Sequence, residues 1–304
     1  MKEAFIRYLS VKKSIDDRAL HRRVWESLKD RLKNRGKTGP VRVLEVGCGI
    51  GTMFQRALEW GLLDQAAYLG IDPDRGSIET ARRLIPAWAE EERWNAREGG
   101  LEQQVQETPP GVSYVFVEAD LFDFLSQSRW QSRFDLVIAN ALLDLVDLNR
   151  ALPLLRNSLK PQGLGYFSIN YDGMTAFEPV IEAELDELII RLYHQSMEER
   201  LVHGQPSGGS RAGRRLFTAL PQAGFEILDA GASDWVVFPR SGRYTADEKA
   251  FLHSILDFFE EALRPYTQVD PTAFQHWLIA RRSQIEEGNL VFLAHQFDFL
   301  TQAR

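Results

Sequence analysis

From Val43 to Gly51 the chain runs an apolar, β-branched stretch past a carboxylate, Glu45, into three glycines at alternate positions, Gly47, Gly49 and Gly51. Thr52 to Trp60 then has the composition of a helix. A strand, a tight glycine turn and a helix bring main chain close to a ligand, because glycine tolerates positive φ and has no Cβ to hold the ligand off. A dinucleotide fingerprint would need glycine at position 52, where Thr52 stands, so the spacing is G-x-G-x-G and not G-x-G-x-x-G. An ordinary strand-to-helix turn would use the same residue types. The next unit favours a ligand site. Ala67 to Asp72 is a second apolar strand ending in an acid, 21 residues past Gly51, near the roughly 20-residue offset at which such a side chain meets ribose hydroxyls. The alternative role for Asp72 is to cap a helix beginning near Pro73 and Asp74.

These residues resemble a known family. Val-Leu-Glu-Val-Gly-Cys-Gly-Ile-Gly followed by Leu-Gly-Ile-Asp looks like the class I S-adenosylmethionine-dependent methyltransferases. The likeness continues in register through Val117 to Phe122, Phe134 to Asn140, Leu159 to Gly163 and Leu164 to Asn170, covering residues 41–170 well and 211–238 loosely. The resemblance implies S-adenosyl-L-methionine as cofactor and distributes its contacts. Gly47, Cys48, Gly49 and Gly51 let backbone approach the methionine portion, and Glu45 orients the amino group. Asp72, with Pro73 beside it, takes the ribose hydroxyls. Asp120 takes the adenine amino group, Leu121 the ring edge by its backbone, and Asn140 faces the sulfonium and methionine amine by its main-chain carbonyl.

Composition restricts the alternatives. A chain of 304 residues with 44% hydrophobic content can bury a large core. No apolar run reaches the roughly 18 residues of a membrane span, and the start of the chain lacks the apolar core of a signal peptide. The single cysteine, Cys48, cannot form an internal disulfide and fits a reducing, cytoplasmic setting. In a tight turn it reads as a small packing residue and not as a nucleophile. A net charge of −7 argues against general affinity for nucleic acid. No paired cysteines or clustered histidines mark a metal site. Oligomeric state is not legible.

Periodicity sets the organisation. Ser14 is placed to cap a helix with Leu20, Val24, Leu28 and Leu32 on its apolar side, within a lead-in of residues 1–40 that ends at Gly36 to Pro40. Arg18 and Arg22 lie on its polar side. They read as a solvated face, with pairing to a ligand carboxylate as the alternative. Strands at 41–46, 66–72, 112–118, 134–140 and 164–170 alternate with helices. The expected fold is a doubly wound, seven-stranded, mostly parallel α/β sheet, Rossmann-like, with helical insertions. Its core spans 41–240 and residues 86–111 form the rest of a helix and a loose loop. A helical insertion is expected at about 174–210, with Val180, Leu185, Leu188, Ile189 and Leu192 as its apolar stripe, and the resemblance implies that it forms part of a substrate lid. A basic glycine loop follows, with Arg211, Arg214 and Arg215, read either as solvated or as closing over an anionic substrate group. Residues 241–304 hold two helices, near 245–264 and 271–287, and Asn289 to Phe297 has strand composition; the resemblance implies an antiparallel last strand there, at the sheet edge. The aromatic residues Phe251, Phe258, Phe259, Phe274 and Trp277 have helical spacing and read as core.

The acceptor is less legible. Asn140 is followed by Ala-Leu-Leu-Asp, not by the Asn-Pro-Pro-Tyr type of motif of relatives that methylate amide or base nitrogens. Asp144, Tyr171, His194 and His203 are candidates, by position, for a base that would deprotonate an acceptor. The reading is a methyltransferase for a small-molecule substrate. Protein methylation and a non-catalytic cofactor-binding module are the alternatives.

Overall fold

The computed structural model describes residues 2–35, 39–101, 111–202 and 204–304. The central sheet has nine strands in this region. One half is parallel: β1 (Val41–Val46) lies between β2 (Ala66–Asp72) and β5 (Phe134–Asn140), β4 (Val112–Glu118) pairs β2, and the short β3 (Ala96–Glu98) pairs β4. β6 (Leu159–Glu178) lies parallel to β5. β11 (Val291–Ala303) then runs antiparallel to β6, and its far side carries both β9 (Phe225–Ala232) and β10 (Trp235–Val237).

Near-continuous apolar strands of this kind need cover on both faces. One cluster sits under α2 (Arg22–Arg35), α3 (Thr52–Glu59) and α4 (Arg75–Glu91), around Trp25, Phe54 and Tyr68. The opposite cluster lies under α5 (Leu121–Leu125), α6 (Leu148–Ser158) and α8 (Ala212–Gln222), around Leu69, Leu152 and Phe225. A third cluster gathers α1 (Lys2–Ala19), α7 (Ala183–Glu198), α9 (Ala246–Leu263) and α10 (Pro271–Glu287) against the far end of β6 and the start of β11. It forms a helical cap over the carboxyl ends of the parallel strands. A β-ribbon of β7 (Leu201–Val202) and β8 (Gln205–Pro206) follows α7.

Several expectations are corrected. The last strand is not at the sheet edge: β11 is inserted between β6 and β9/β10, and Phe299, Leu300 and Thr301 on it are fully buried. The sheet gains β3 and β10 over the seven strands expected; β3 falls within the stretch read as a loose loop, of which residues 102–110 lie outside the described residues. The leading helix is two helices, and Ser14 lies inside α1, its hydroxyl donating to the Val11 carbonyl at 3.1 Å. The break at Leu20 and His21 is held from far along the chain, where Asp298 accepts the His21 backbone N–H at 2.8 Å. Gly36 to Thr38, read as the end of that helix, are outside the described residues. Residues 174–178 extend β6 and are not helical, and Val180 is exposed. The period-2 pairing with β11 wins over helical propensity there.

Candidate active site

The glycine turn has the geometry that its sequence demands. Gly47, Gly49 and Gly51 all have positive φ, of 69°, 52° and 86°. At Gly51, the N-cap of α3, a Cβ would also lie 2.9 Å from Ile85. The turn is clamped by Asp72: one carboxylate oxygen accepts the Gly49 N–H at 2.9 Å, the other the Asp74 N–H at 2.8 Å. Helix α4 is capped by Asp74 and not by Asp72. Asp72 is therefore held with one lone pair of each oxygen committed and the others available. Burial pushes its carboxyl above the usual range, against those backbone bonds.

Glu45 lies beneath the turn, 1% exposed, and accepts the Tyr68 hydroxyl. Burial lifts its carboxyl to about 8, with the Tyr68 bond and the Arg56 charge pulling the other way. The Cys48 thiol is buried and pushed well up by desolvation, which removes it as a nucleophile. Asn140 ends β5 and accepts the Ser168 hydroxyl through its side chain at 2.8 Å. Asp120 caps α5, with one carboxylate oxygen taking the Phe122 and Asp123 N–H groups.

A cavity of about 560 Å³ joins this turn to the helical cap. Glu45, Gly47, Cys48, Gly49, Asp72 and Asn140 line one side of it. Asp144, Tyr171 and Thr175 line the chamber beyond, walled by Tyr8 of α1, Phe258 and Phe259 of α9, Trp235 and Phe292. Two irregularities in the β6–β11 pairing aim side chains into it. At one, Ile169 takes a φ of 55° with its N–H bonded to the buried Asp298 carboxylate at 2.8 Å. At the other, Gly173 allows the chain between Tyr171 and Thr175 to bulge.

Tyr171 is the junction of a short chain of bonds. Its hydroxyl is 2.5 Å from the Thr175 hydroxyl and 2.6 Å from His194 Nε2. Burial raises the Tyr171 hydroxyl and lowers the His194 imidazole, the latter with help from the Arg211 charge, so His194 is held neutral. His194 lines a second, more open cavity of about 730 Å³ on the outer side of α7; Thr175 lines both. Asp144 is raised by burial, partly offset by Arg200 and Lys12.

The structure thus gathers Glu45, Gly47, Cys48, Gly49, Asp72, Asn140, Asp144 and Tyr171 around one cavity. Gly51 supports the turn from behind, and Pro73, Asp120 and Leu121 lie outside the cavity lining. His194 stands behind Tyr171, and His203 is outside the described residues. Arg18 pairs with Glu248 at 2.6 Å and Arg22 lies 4.1 Å from the Trp60 ring centre, so neither is a ligand contact. The basic loop does not close over the chamber: Arg214 is bound to Asp172, Arg215 to Glu198, and Gly209 N–H to the Asp144 carbonyl. Phe258 and Phe259, read as core, line the chamber, whereas Phe251, Phe274 and Trp277 are core. Tyr8, Lys12, Trp235 and Gln296 were not singled out from the sequence, because each reaches the chamber through pairings between distant segments. Among the described residues no group of three or more His, Cys, Asp or Glu side chains could hold a metal ion, and no helix is long and apolar enough to cross a membrane.

A glycine turn clamped by the acid of the next strand lies at the carboxyl ends of a sheet with one antiparallel strand, the arrangement that the sequence resemblance implies. Residues 44–164 match the family model of a methyltransferase domain. The matched residues run from β1 to the start of β6, in agreement with the class I S-adenosylmethionine-dependent type that the sequence resembles. No curated protein matches the chain in sequence. Solved structures with a similar course include a candidate methyltransferase from Bacillus halodurans C-125, 12% identical at a TM-score of 0.49, covering 91% of this chain and 98% of that one. The YcgJ protein of Bacillus subtilis is 11% identical at a TM-score of 0.46, covering 92% and 98%. Phosphoethanolamine N-methyltransferase 2 of Haemonchus contortus is 14% identical at a TM-score of 0.40; 92% of this chain aligns, spanning 52% of that protein's length.

Proposed function

We propose that this protein transfers a methyl group from S-adenosyl-L-methionine to a small-molecule acceptor enclosed beneath the helical cap, in a reducing, cytosolic setting. One observation carries the reading: a single cavity is lined at one end by the glycine turn, Glu45 and Asp72, and at the other by α1, α7 and α9. An acceptor held there lies within reach of a donor held by the turn, beside the aromatic walls of the chamber. When bound, the cofactor supplies a methyl already activated on a sulfonium. The protein's task is then alignment, worth up to about 7–11 kcal/mol in ideal cases.

In this reading Gly47 and Gly49 admit the methionine portion, Glu45 faces its ammonium and Asp72 holds the ribose. Asp120 and Leu121 take the adenine beyond the chamber. An acceptor hydroxyl gives its proton to the Tyr171 oxygen while the Tyr171 proton passes to His194 Nε2. A neutral imidazole 2.6 Å away, facing an open cavity, supports that route. Incubation with methyl-labelled cofactor and a fractionated metabolite extract tests the proposal. Label in a low-mass product is expected. Label in protein would move the assignment to protein methylation, and cofactor binding with no label anywhere would leave a binding module.

A further inference from the structure

Nine buried side-chain polar atoms among the described residues have no hydrogen-bond partner. Unpaired buried groups are rare in native proteins, each costing about 1–3 kcal/mol, and each asks for an explanation. Of the residues that carry them, Gln296 alone lines one of the two cavities described above, and that cavity is the acceptor chamber. Gln296 is 1% exposed, its Oε1 accepts nothing, and no bond from its amide nitrogen is found among the described residues.

Its place is fixed by the sheet. Gln296 is the direct antiparallel partner of Tyr171, so the two side chains share one face. Its backbone is held on the other strand edge, with the Ser233 N–H donating to its carbonyl at 2.9 Å and its own N–H donating to Asp234 at 3.3 Å. Those bonds fix the backbone from which the Gln296 side chain springs on the Tyr171 side of the sheet. The chamber's other polar wall groups are largely paired with each other: Lys12 with Asp16 at 2.5 Å, and Asp16 with the Trp235 indole N–H at 2.9 Å. Asp144, Thr175, Arg200 and Glu261 also line it, and most of the rest of the wall is aromatic and aliphatic.

We infer that Gln296 is a specificity-determining contact of the acceptor, which is an apolar ring compound presenting a hydroxyl to the Gln296 amide beside Tyr171. An uncharged amide both donates and accepts, which suits a hydroxyl and does nothing to neutralise a charged group. A site built to hydrogen-bond a hydroxyl rejects the analogue lacking it, because its own buried groups are then left unpaired. This inference rests on the chamber being the acceptor site of the proposed reaction.

The test uses a volume-matched pair of probes, 2-naphthol and 2-methylnaphthalene, titrated by their fluorescence into full-length protein saturated with S-adenosylhomocysteine. The unaltered protein is expected to bind 2-naphthol at least about tenfold more tightly, a difference of about 1.4 kcal/mol. In Gln296→Met and Gln296→Leu the preference should shrink to about twofold or less, while 2-methylnaphthalene binds at least as well as before. Retained 2-methylnaphthalene binding shows that a variant is folded. An unchanged preference in both variants overturns the inference, as does failure of the unaltered protein to bind either probe. Affinity for S-adenosylhomocysteine is measured separately. Its absence would sink the methyltransferase reading while leaving the hydroxyl preference standing, so the two failures are distinct.

Discussion

Glu45 makes cofactor affinity depend on pH in a way that can be worked out from its surroundings. Its carboxyl is buried in the first strand, bonded to the Tyr68 hydroxyl, and raised to about 8 chiefly by desolvation. At neutral pH the ligand-free protein therefore holds Glu45 mostly protonated. Binding an ammonium against it requires the carboxylate, so each binding event releases a proton. Well below the raised value, affinity falls about tenfold for each pH unit; from pH 8 to pH 6 the loss is about fiftyfold, or about 2.3 kcal/mol. The folding linkage has the opposite sense. Unfolded Glu45 ionises in the ordinary range, whereas folded Glu45 keeps its proton to about 8. The ligand-free protein should thus lose stability as pH rises from about 4.5 to 8, by up to about 1.4 kcal/mol per unit. Calorimetric titration with S-adenosylhomocysteine between about pH 5.5 and 7.5, in buffers of differing ionisation enthalpy, reads both the slope and the proton. This range keeps the ligand's amino group charged, since free α-amino groups titrate near 7.7–8.0. Glu45→Gln should bind more weakly at pH 7.5 but with the slope flattened. A wild-type affinity independent of pH, or an equal slope in Glu45→Gln, would refute the reasoning, because Asp72 would then be the only titrating partner left.

Other expectations follow from the same geometry. Asp72→Ala should weaken S-adenosylhomocysteine binding by about 1–3 kcal/mol, since it removes a ligand partner and releases the Gly49 and Asp74 N–H groups that shape the turn; equilibrium titration checks it. Tyr171→Phe should lower turnover of a labelled acceptor by about a hundredfold or more with S-adenosylhomocysteine affinity unchanged; an equal loss of cofactor affinity would assign Tyr171 a structural role instead. In the cap, Asp186 accepts from the Trp277 indole at 2.5 Å and from the fully buried Arg281 at 2.7 Å. Asp186→Ala strands that guanidinium and should cost about 3–5 kcal/mol in denaturant unfolding, with Asp186→Asn less severe.

The parallel half of the fold was legible because its signals are local. Each strand there is a short apolar run, each turn a glycine or an acid, and their spacing along the chain is their order in space. The residues proposed to hold the cofactor inherit that clarity, since Gly47, Gly49 and Asp72 belong to consecutive units. The acceptor side was opaque for the opposite reason. The break between α1 and α2 is fixed by Asp298, which lies far along the chain on β11. The strand character of 174–178 comes from pairing with 291–294, and helical propensity offers no hint of it. Phe258 and Phe259 share a period with Phe251 and cannot be told from core until α1 is laid across α9. Gln296 has no motif at all; its meaning lies in what it fails to touch.

The charges around the chamber decide what kind of acceptor it admits. Lys12 and Asp16 form a close pair on α1, Asp16 is further bound to Trp235, and Asp144 faces Arg200 and Lys12. Glu261 is exposed at the lining, and Glu45 and Asp72 stand at its glycine-turn end. An acceptor entering this space meets charges of both signs and no surplus of positive charge, so there is little field to draw in or hold a phosphate or carboxylate. Discrimination then falls on ring shape and on the amide at Gln296. The consequence is measurable, because screening shrinks from a reach of about 30 Å at 0.01 M salt to about 3 Å at 1 M. The dissociation constant of 2-naphthol should change by less than about twofold across that range, and 2-naphthoate should bind at least about tenfold more weakly than 2-naphthol. Steep weakening by salt together with tighter binding of the carboxylate would show that Arg200 or Lys12 is free to act as an anion receptor, and the neutral-chamber account would fail.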